Sequence, residues 1–422
     1  MTCTLEPDQP ASRLSGASVL IVHGGGHIDL AIARSLGRAG AKVIAGSPMG
    51  AGFARYSRYV SAVLPFPSRD PQVIVAATLA YLRTGQVTHL ISPEEELIAR
   101  LNEHRAEIER FAVPLFPDTE AFHECLYKDR TLRRAARLGI ASPRTYVPST
   151  LDNLEACRHW TYPLVFKPNH RDPALRDPAA RDYLAAYATS FEDLRRQVAA
   201  LGPHAGPPMI QEFAAGEGIG VEVLMRGGEP RLIFQHRRLR EKPHTGGISV
   251  LCESMPLSEG LVADSVRLLK DMNWDGVAMV EFRRDPATGI AKLLEVNGRF
   301  WGSLPLALHA GADFPADLLR SHLRPKDAQS EPQSEPQYRA GVRCRSLAHD
   351  TAALVDILRT GAQPRLAALY RYLAAFHPTV GAYIWAWDDP LPSLLHPWQR
   401  LRQFLRTRAA EAPNSVREVK SC

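Results

Sequence analysis

Two apolar runs, Gly276 to Phe282 and Ala291 to Val296, are separated by Asp285-Pro286-Ala287-Thr288-Gly289, and each run carries a glutamate near its end. Asp, Pro and Gly in that order punctuate a turn, so the two runs read as neighbouring strands of a hairpin. The hairpin sets Glu281 against Glu295. Side chains two apart on a strand project to the same side, so Asn297 joins Glu295 and Arg299 continues the spacing. Leu293, Leu294 and Val296 flank the acids, and Phe300-Trp301 follows at once. Burying such a segment strands its charges unless something compensates them. Two carboxylates and an amide oxygen are hard ligands suited to Mg²⁺, which neutralises polyphosphate charge. The guanidinium of Arg299 suits a phosphate or a developing oxyanion.

The remaining chain divides by pattern. An apolar strand, Ser18 to Val22, runs into His23-Gly24-Gly25-Gly26-His27, a helix-like stretch from Ile28 to Ala39 and a second strand, Ala41 to Ala45. This is a βαβ opening whose glycines turn tightly at a helix N-terminus. Asp29 replaces the third glycine of a dinucleotide fingerprint and no acid ends the second strand, so a plain tight turn is the favoured reading. Alternation continues through Leu64–Pro67, a helix over Pro71–Arg83, the strand His89–Ser92 and a helix near Pro93 with Glu94, Glu95 and Glu96 in its first turn. A doubly wound unit over 18–123 follows.

A helical connector, Cys125–Leu138, leads into strands at Leu164–Lys167, Met209–Phe213, Gly220–Arg226, Arg231–Arg238, Gly276–Phe282 and Ala291–Val296, which predict an α+β unit over 124–325 with an antiparallel sheet. The duplicated polar pentapeptide around 326–338 reads as a linker, and 339–422 as a mainly helical extension. Residues 1–17 read as a disordered tail, because Glu6, Asp8 and Pro10 stand where a signal peptide needs an apolar block. With 422 residues, two or three packed units are expected.

Composition narrows the function class. A chain 45% hydrophobic and 23% charged is of soluble globular type, and no stretch approaches the ~20 apolar residues of a membrane span. Six scattered cysteines without a CxxC pair suggest neither zinc nor a disulfide framework, and a cytoplasmic location fits. A formal charge of +6 with no basic block places nucleic acid well behind a phosphate-bearing small ligand. Near the C-terminus, Trp398, Leu401, Phe404 and Leu405 share a helical face beside several arginines; packing on its own protein is preferred to peripheral membrane contact.

At these residues the sequence resembles the ATP-grasp superfamily, over roughly 18–323 and in the order of that superfamily's parts. The D-aspartate ligase-like and carbamoyl-phosphate synthetase-like branches are the nearest in pattern. The resemblance implies a Rossmann-like N-terminal domain, α/β, followed by an α+β ATP-grasp fold and the helical extension. It implies ATP and Mg²⁺, with Mn²⁺ as a substitute, and small-molecule carboxylate and amine substrates. Glu281, Glu295 and Asn297 would hold the metal, and Arg299 would steady acyl transfer. Lys128 in Tyr127-Lys128-Asp129-Arg130 and Lys167 in Val165-Phe166-Lys167-Pro168 look like the two nucleotide lysines.

Gln211-Glu212-Phe213-Ala214-Ala215-Gly216-Glu217 resembles the adenine hinge, with main-chain contacts at Glu212 and Phe213 and Glu217 at the ribose. Between Asn169 and Tyr187 the usual glycine-rich lid is replaced by a segment with Arg171 and Arg176. His236, Arg238 and Arg240 would share a strand face across the cleft and attract a carboxylate, with Arg240 catalytic; a solvated edge strand is the alternative. The chemistry implied is ligation through an acyl phosphate. Its rivals are a bicarbonate-using carboxylase, a non-catalytic nucleotide-binding scaffold and, last, an oxidoreductase built on His23 to His27. Homo-oligomerisation stays open.

Overall fold

The computed structural model describes residues 14–23, 25–48, 52–170, 185–202, 204–243, 246–323 and 338–396. Residues 1–13 of the expected N-terminal tail, most of the lid with Arg171 and Arg176, residues 326–337 of the linker and the Trp398–Leu405 helix lie outside these residues, whereas Leu14 and Ala17, expected in the tail, are buried in the first unit.

The first unit runs β1 Ser18–Ile21, α1 His27–Arg38, β2 Lys42–Pro48, β3 Ala62–Phe66, α2 Pro71–Leu82, β4 His89–Ile91, α3 Glu95–Glu103, α4 Arg105–Ile108, β5 Val113–Pro114 and α5 Thr119–Leu126. Its strands form a parallel sheet in the order β3-β2-β1-β4-β5. The order reverses between β1 and β4, which leaves a crevice outside their carboxyl ends. Local chemistry starts the helices: Pro71 occupies the first turn of α2 while the Asp70 carboxylate accepts from the Gln72 N–H at 2.9 Å, and Asp118 caps α5 through Ala121 N–H at 2.9 Å.

A smaller lobe follows: α6 Lys128–Arg137, β6 Thr145–Tyr146, β7 Leu164–Pro168, β8 Ala186–Ala188, α7 Phe191–Ala199 and β9 Pro208–Glu212, with its sheet ordered β6-β9-β7-β8. Trp160, Leu164, Phe166, Leu194 and Ile210 give it a core of its own.

The large sheet comes from β10 Glu217–Arg226, β11 Glu229–Lys242, β12 Ile248–Ser254, α8 Glu259–Asp271, β13 Gly276–Arg284, β14 Ala291–Asn297, α9 Leu304–Ala310, α10 Phe314–Leu323, β15 Arg343–Arg345, α11 Leu347–Thr360, α12 Arg365–Ala374 and β16 Val380–Ala382. Its seven strands are ordered β14-β13-β10-β11-β12-β15-β16. The C-terminal extension is therefore not only helical: β15 pairs antiparallel with β12, matching Cys344 to Cys252, and carries β16 beside it. The segment His236–Arg240 lies in β11 at the interior of this sheet, which removes the alternative of a solvated edge strand.

One face of the large sheet shares a core with the first unit. Leu224, Phe234 and Met279 from the sheet, Phe300 and Trp301 from the loop after β14, and Val19, Ile32 and Leu36 from the first unit form one apolar cluster. This packing fixes the β1/β4 crevice against the end of β14. Among the described residues no helix is long and apolar enough to cross a membrane.

Candidate active site

β13 and β14 pair antiparallel with Glu281 directly opposite Glu295, as the hairpin predicted. A cross-strand pair of like charges destabilises a sheet unless cations intervene. Two do. The Lys128 ammonium, at the first residue of α6, contacts Glu295 Oε2, and Arg238 Nη2 lies 2.5 Å from Glu281 Oε2. Asn297 Nδ2 donates to the other Glu281 oxygen at 2.9 Å. Main-chain pairing holds Lys128 in place, since its N–H donates to Asn169 O at 3.0 Å beyond the end of β7.

Around this pair the same sheet face carries further charge. Gly220 of β10 is opposite Glu281 on one side and His236 on the other. A Cβ on Gly220 would come within 2.5 Å of both Glu222 Oε1 and His236 Cε1, so only glycine admits these side chains. His236 Nδ1 is 2.8 Å from Glu222 Oε1, both fully buried, in an ion contact not aligned as a hydrogen bond; Ser303 Oγ is 3.2 Å from His236 Nε2. Burial pushes the Glu222 carboxyl up, against the opposing pull of His236. Arg238 also contacts Glu241, 3.2 Å away, and Glu241 meets Arg283 at 2.6 Å. Burial lowers the Arg238 pKa, but Glu281 and Glu241 outweigh it and drive it above the ordinary arginine value, so the guanidinium stays charged.

β14 ends at Asn297, and Arg299 stands in the loop beyond it rather than on the strand. Its Nε is 3.3 Å from Glu95 Oε1 on α3, its Nη1 donates to Phe300 O at 2.9 Å, and its Nη2 lies 3.4 Å from Asn297 Oδ1. Gly298 between them packs so closely on Trp274 and Cys125 that a Cβ would approach both within 2.7 Å. The exit of β14 is thus pinned to the first unit.

One sequence assignment is corrected. Arg240 does not face the acids. An extra residue in β11 shifts the pairing from Arg238–Cys252 to Arg240–Leu251, and this bulge turns Arg240 to the opposite face. There it contacts the fully buried Asp350 of α11, which also lies 2.8 Å from Arg345. Glu217 likewise sits on the far face: it is an odd-numbered residue on β10, where Gly218 and Gly220 face the site, and it lies 3.5 Å from Arg237.

The other candidates lie on the smaller sheet. Lys167 is on β7 opposite Met209 of β9. The buried Gln211 side chain donates to Thr145 Oγ1 at 3.0 Å. The Glu212 N–H donates to Arg144 O at 3.0 Å, which removes it from the expected adenine contacts, and Phe213, just past β9, meets Tyr187 edge-on. Glu222, Glu95 and Glu241 were missed as site neighbours. Only Glu222 left a signal, a lone charge inside the apolar run Gly220–Met225.

Residues 205–348 match the family described as "ATP-grasp in the biosynthetic pathway with Ter operon". Solved structures are similar in fold. Biotin carboxylase from Campylobacter jejuni, in its β,γ-ATP complex, is 14% identical with a TM-score of 0.61 over 77% of this chain and 74% of that one. L-amino acid ligase from Bacillus licheniformis is 17% identical with a TM-score of 0.60 over 77% and 78%. N5-carboxyaminoimidazole synthetase from Staphylococcus aureus is 13% identical with a TM-score of 0.56 over 74% and 79%. The chain has the ATP-grasp fold of these structures. No curated protein matches it in sequence. Within this ATP-grasp fold, Lys128 and the Glu281–Glu295 pair occupy the meeting point of the smaller lobe and the large sheet.

Proposed function

We propose that the chain is an ATP- and Mg²⁺-dependent ligase that activates a carboxylate as an acyl phosphate and joins it to an amine, releasing ADP and phosphate. The opposed Glu281–Glu295 pair, bracketed by Lys128, Arg238 and Asn297, carries this reading. Two facing carboxylates, with the Asn297 amide beside them, suit a divalent cation, and the lysine and arginine now on them supply the positive charge such a pair needs. Mg²⁺ held by Glu281, Glu295 and Asn297 would supply charge neutralisation on the phosphates.

In this reading Lys128, released from Glu295, holds phosphate oxygens, and Lys167 serves the same end from the smaller lobe. The main chain at Glu212 O and Phe213 offers the adenine contacts. A substrate carboxylate oxygen attacks the γ-phosphorus and the bond to the β-phosphate oxygen breaks, giving ADP. The amine then attacks the acyl carbon, loses a proton, and phosphate leaves. Arg299, fixed by Glu95 and Asn297, offers its guanidinium to the oxyanion formed in that second step. Mn²⁺ is expected to substitute for Mg²⁺.

Glu295→Gln keeps the shape of β14 and removes one ligand charge; phosphate release from ATP, screened over carboxylates and amines, should fall at least 100-fold while the unfolding midpoint stays near wild type. Full turnover in this variant would refute the assignment. The fold likeness to biotin carboxylase supports a second reading, with bicarbonate as the carboxylate. ADP release that needs bicarbonate and no organic acid would select it.

A further inference from the structure

The parallel sheet of the first unit leaves a cavity of about 320 Å³ at the carboxyl ends of β1, β2 and β4, the reversal point where open α/β sheets take ligands. Ile74 and Leu97 line it with apolar surface, and its charged groups are His23, Arg69, Glu94 and Glu96. Both signs of charge face one small space. A simple anion would be repelled by the glutamates and a simple cation by Arg69, whereas a ligand carrying both charges satisfies the whole lining.

The wall at His23 is held in an uncommon shape. Its φ of 119° is a left-handed value that side chains other than glycine rarely adopt, and such strain persists where the surroundings enforce it. Beside it is Asp29, buried on α1, whose Oδ2 accepts from Gly26 N–H at 2.6 Å and lies 3.5 Å from His23 Nδ1. Its other oxygen, Oδ1, has no hydrogen-bond partner among the described residues. Burial lowers the His23 pKa, but the bond and charge of Asp29 and the charge of Glu94 outweigh it and raise it above 6.5.

The crevice also touches the reaction centre through both its lips. Glu95, between the two lining glutamates, pairs with Arg299, and His27 Nε2 is 2.9 Å from Gly302 O. The loop leaving β14 is therefore clamped to the same two segments that wall the cavity.

We propose that this crevice binds the amine substrate as a zwitterion of α-amino-acid type, its carboxylate on Arg69 and His23 and its ammonium on Glu94 and Glu96. The proposal rests on the ligase reading and names the class of its nucleophile. The strained His23 backbone presents the side chain to the cavity, and Asp29 fixes its orientation.

The test uses the full chain without ATP and the twenty common L-α-amino acids as probes, screened by thermal shift and titrated by calorimetry. At least one should bind, its N-acetyl and carboxamide derivatives should bind at least tenfold more weakly, and Arg69→Gln and Glu94→Gln should each raise its Kd at least tenfold. Arg267→Gln, half exposed on α8, should leave that Kd unchanged. No binding by any amino acid, or wild-type affinity in both cavity variants, overturns the proposal. The two readings fail separately. Binding lost in Arg69→Gln supports the site even if no ADP is ever formed, whereas amine-dependent turnover with an unchanged KM in Arg69→Gln keeps the ligase and overturns the site.

Discussion

Replacing Arg240 should unfold this protein more readily rather than silence its chemistry. Arg240 and Asp350 have side chains 10% and 0% exposed, and Arg345, which shares Asp350, is 5% exposed and stacks on Phe376 at 4.3 Å. Removing one partner of a buried ion pair costs about 3–5 kcal/mol, because the charge left behind cannot return to water. Asp350→Ala strands two guanidinium groups and should reach the upper part of that range. Arg240→Met leaves Asp350 still matched to Arg345, so a loss of roughly 1–3 kcal/mol is expected. Replacing all three residues with apolar ones of similar volume should recover most of the loss, because no unpaired charge then remains in the interior. Urea unfolding followed by the fluorescence of the buried Trp274 and Trp301 reads each midpoint, and the cycle of single and multiple variants reads the coupling. ATP turnover per folded molecule should change less than threefold in Arg240→Met. A wild-type unfolding midpoint combined with a hundredfold fall in kcat would refute the argument and return Arg240 to the catalytic machinery.

Gly220→Ala should destabilise the large sheet by about 1–3 kcal/mol through overpacking, since its Cβ would meet Glu222 and His236 at 2.5 Å; an unchanged urea midpoint would show that the pair repacks freely. His89 gives the first unit an acid sensitivity. Burial, with the charge of His322 second, lowers its pKa from 6.5 to about 4, so the unfolded chain binds the proton more readily. Its contribution is complete above pH 6.5 and is lost as pH falls toward 4, amounting to about 2 kcal/mol at pH 5. His89→Gln should flatten the urea midpoint between pH 7 and pH 5, and an unaltered slope would exclude His89 as the source.

The sequence by itself determined the elements whose cues are local. Asp70-Pro71 marked the start of α2, Asp285 to Gly289 marked the hairpin, and period-two spacing put Glu281 opposite Glu295. These follow from dihedral limits and side-chain alternation within a few residues of one another. Tertiary structure decided everything that hangs on register and on partners distant in the chain. One extra residue in β11 sent Arg240 away from the acids, and strand parity did the same to Glu217. Asp350, 110 positions after Arg240, supplied the buried countercharge that made the extension part of the sheet's own structure. Lys128 met Glu295 across 167 positions because β7 and α6 brought it there. Alternation is a rule about neighbours and a bulge breaks it without any mark in composition. A buried charge finds its partner by the folding of whole sheets, which no short window of residues contains.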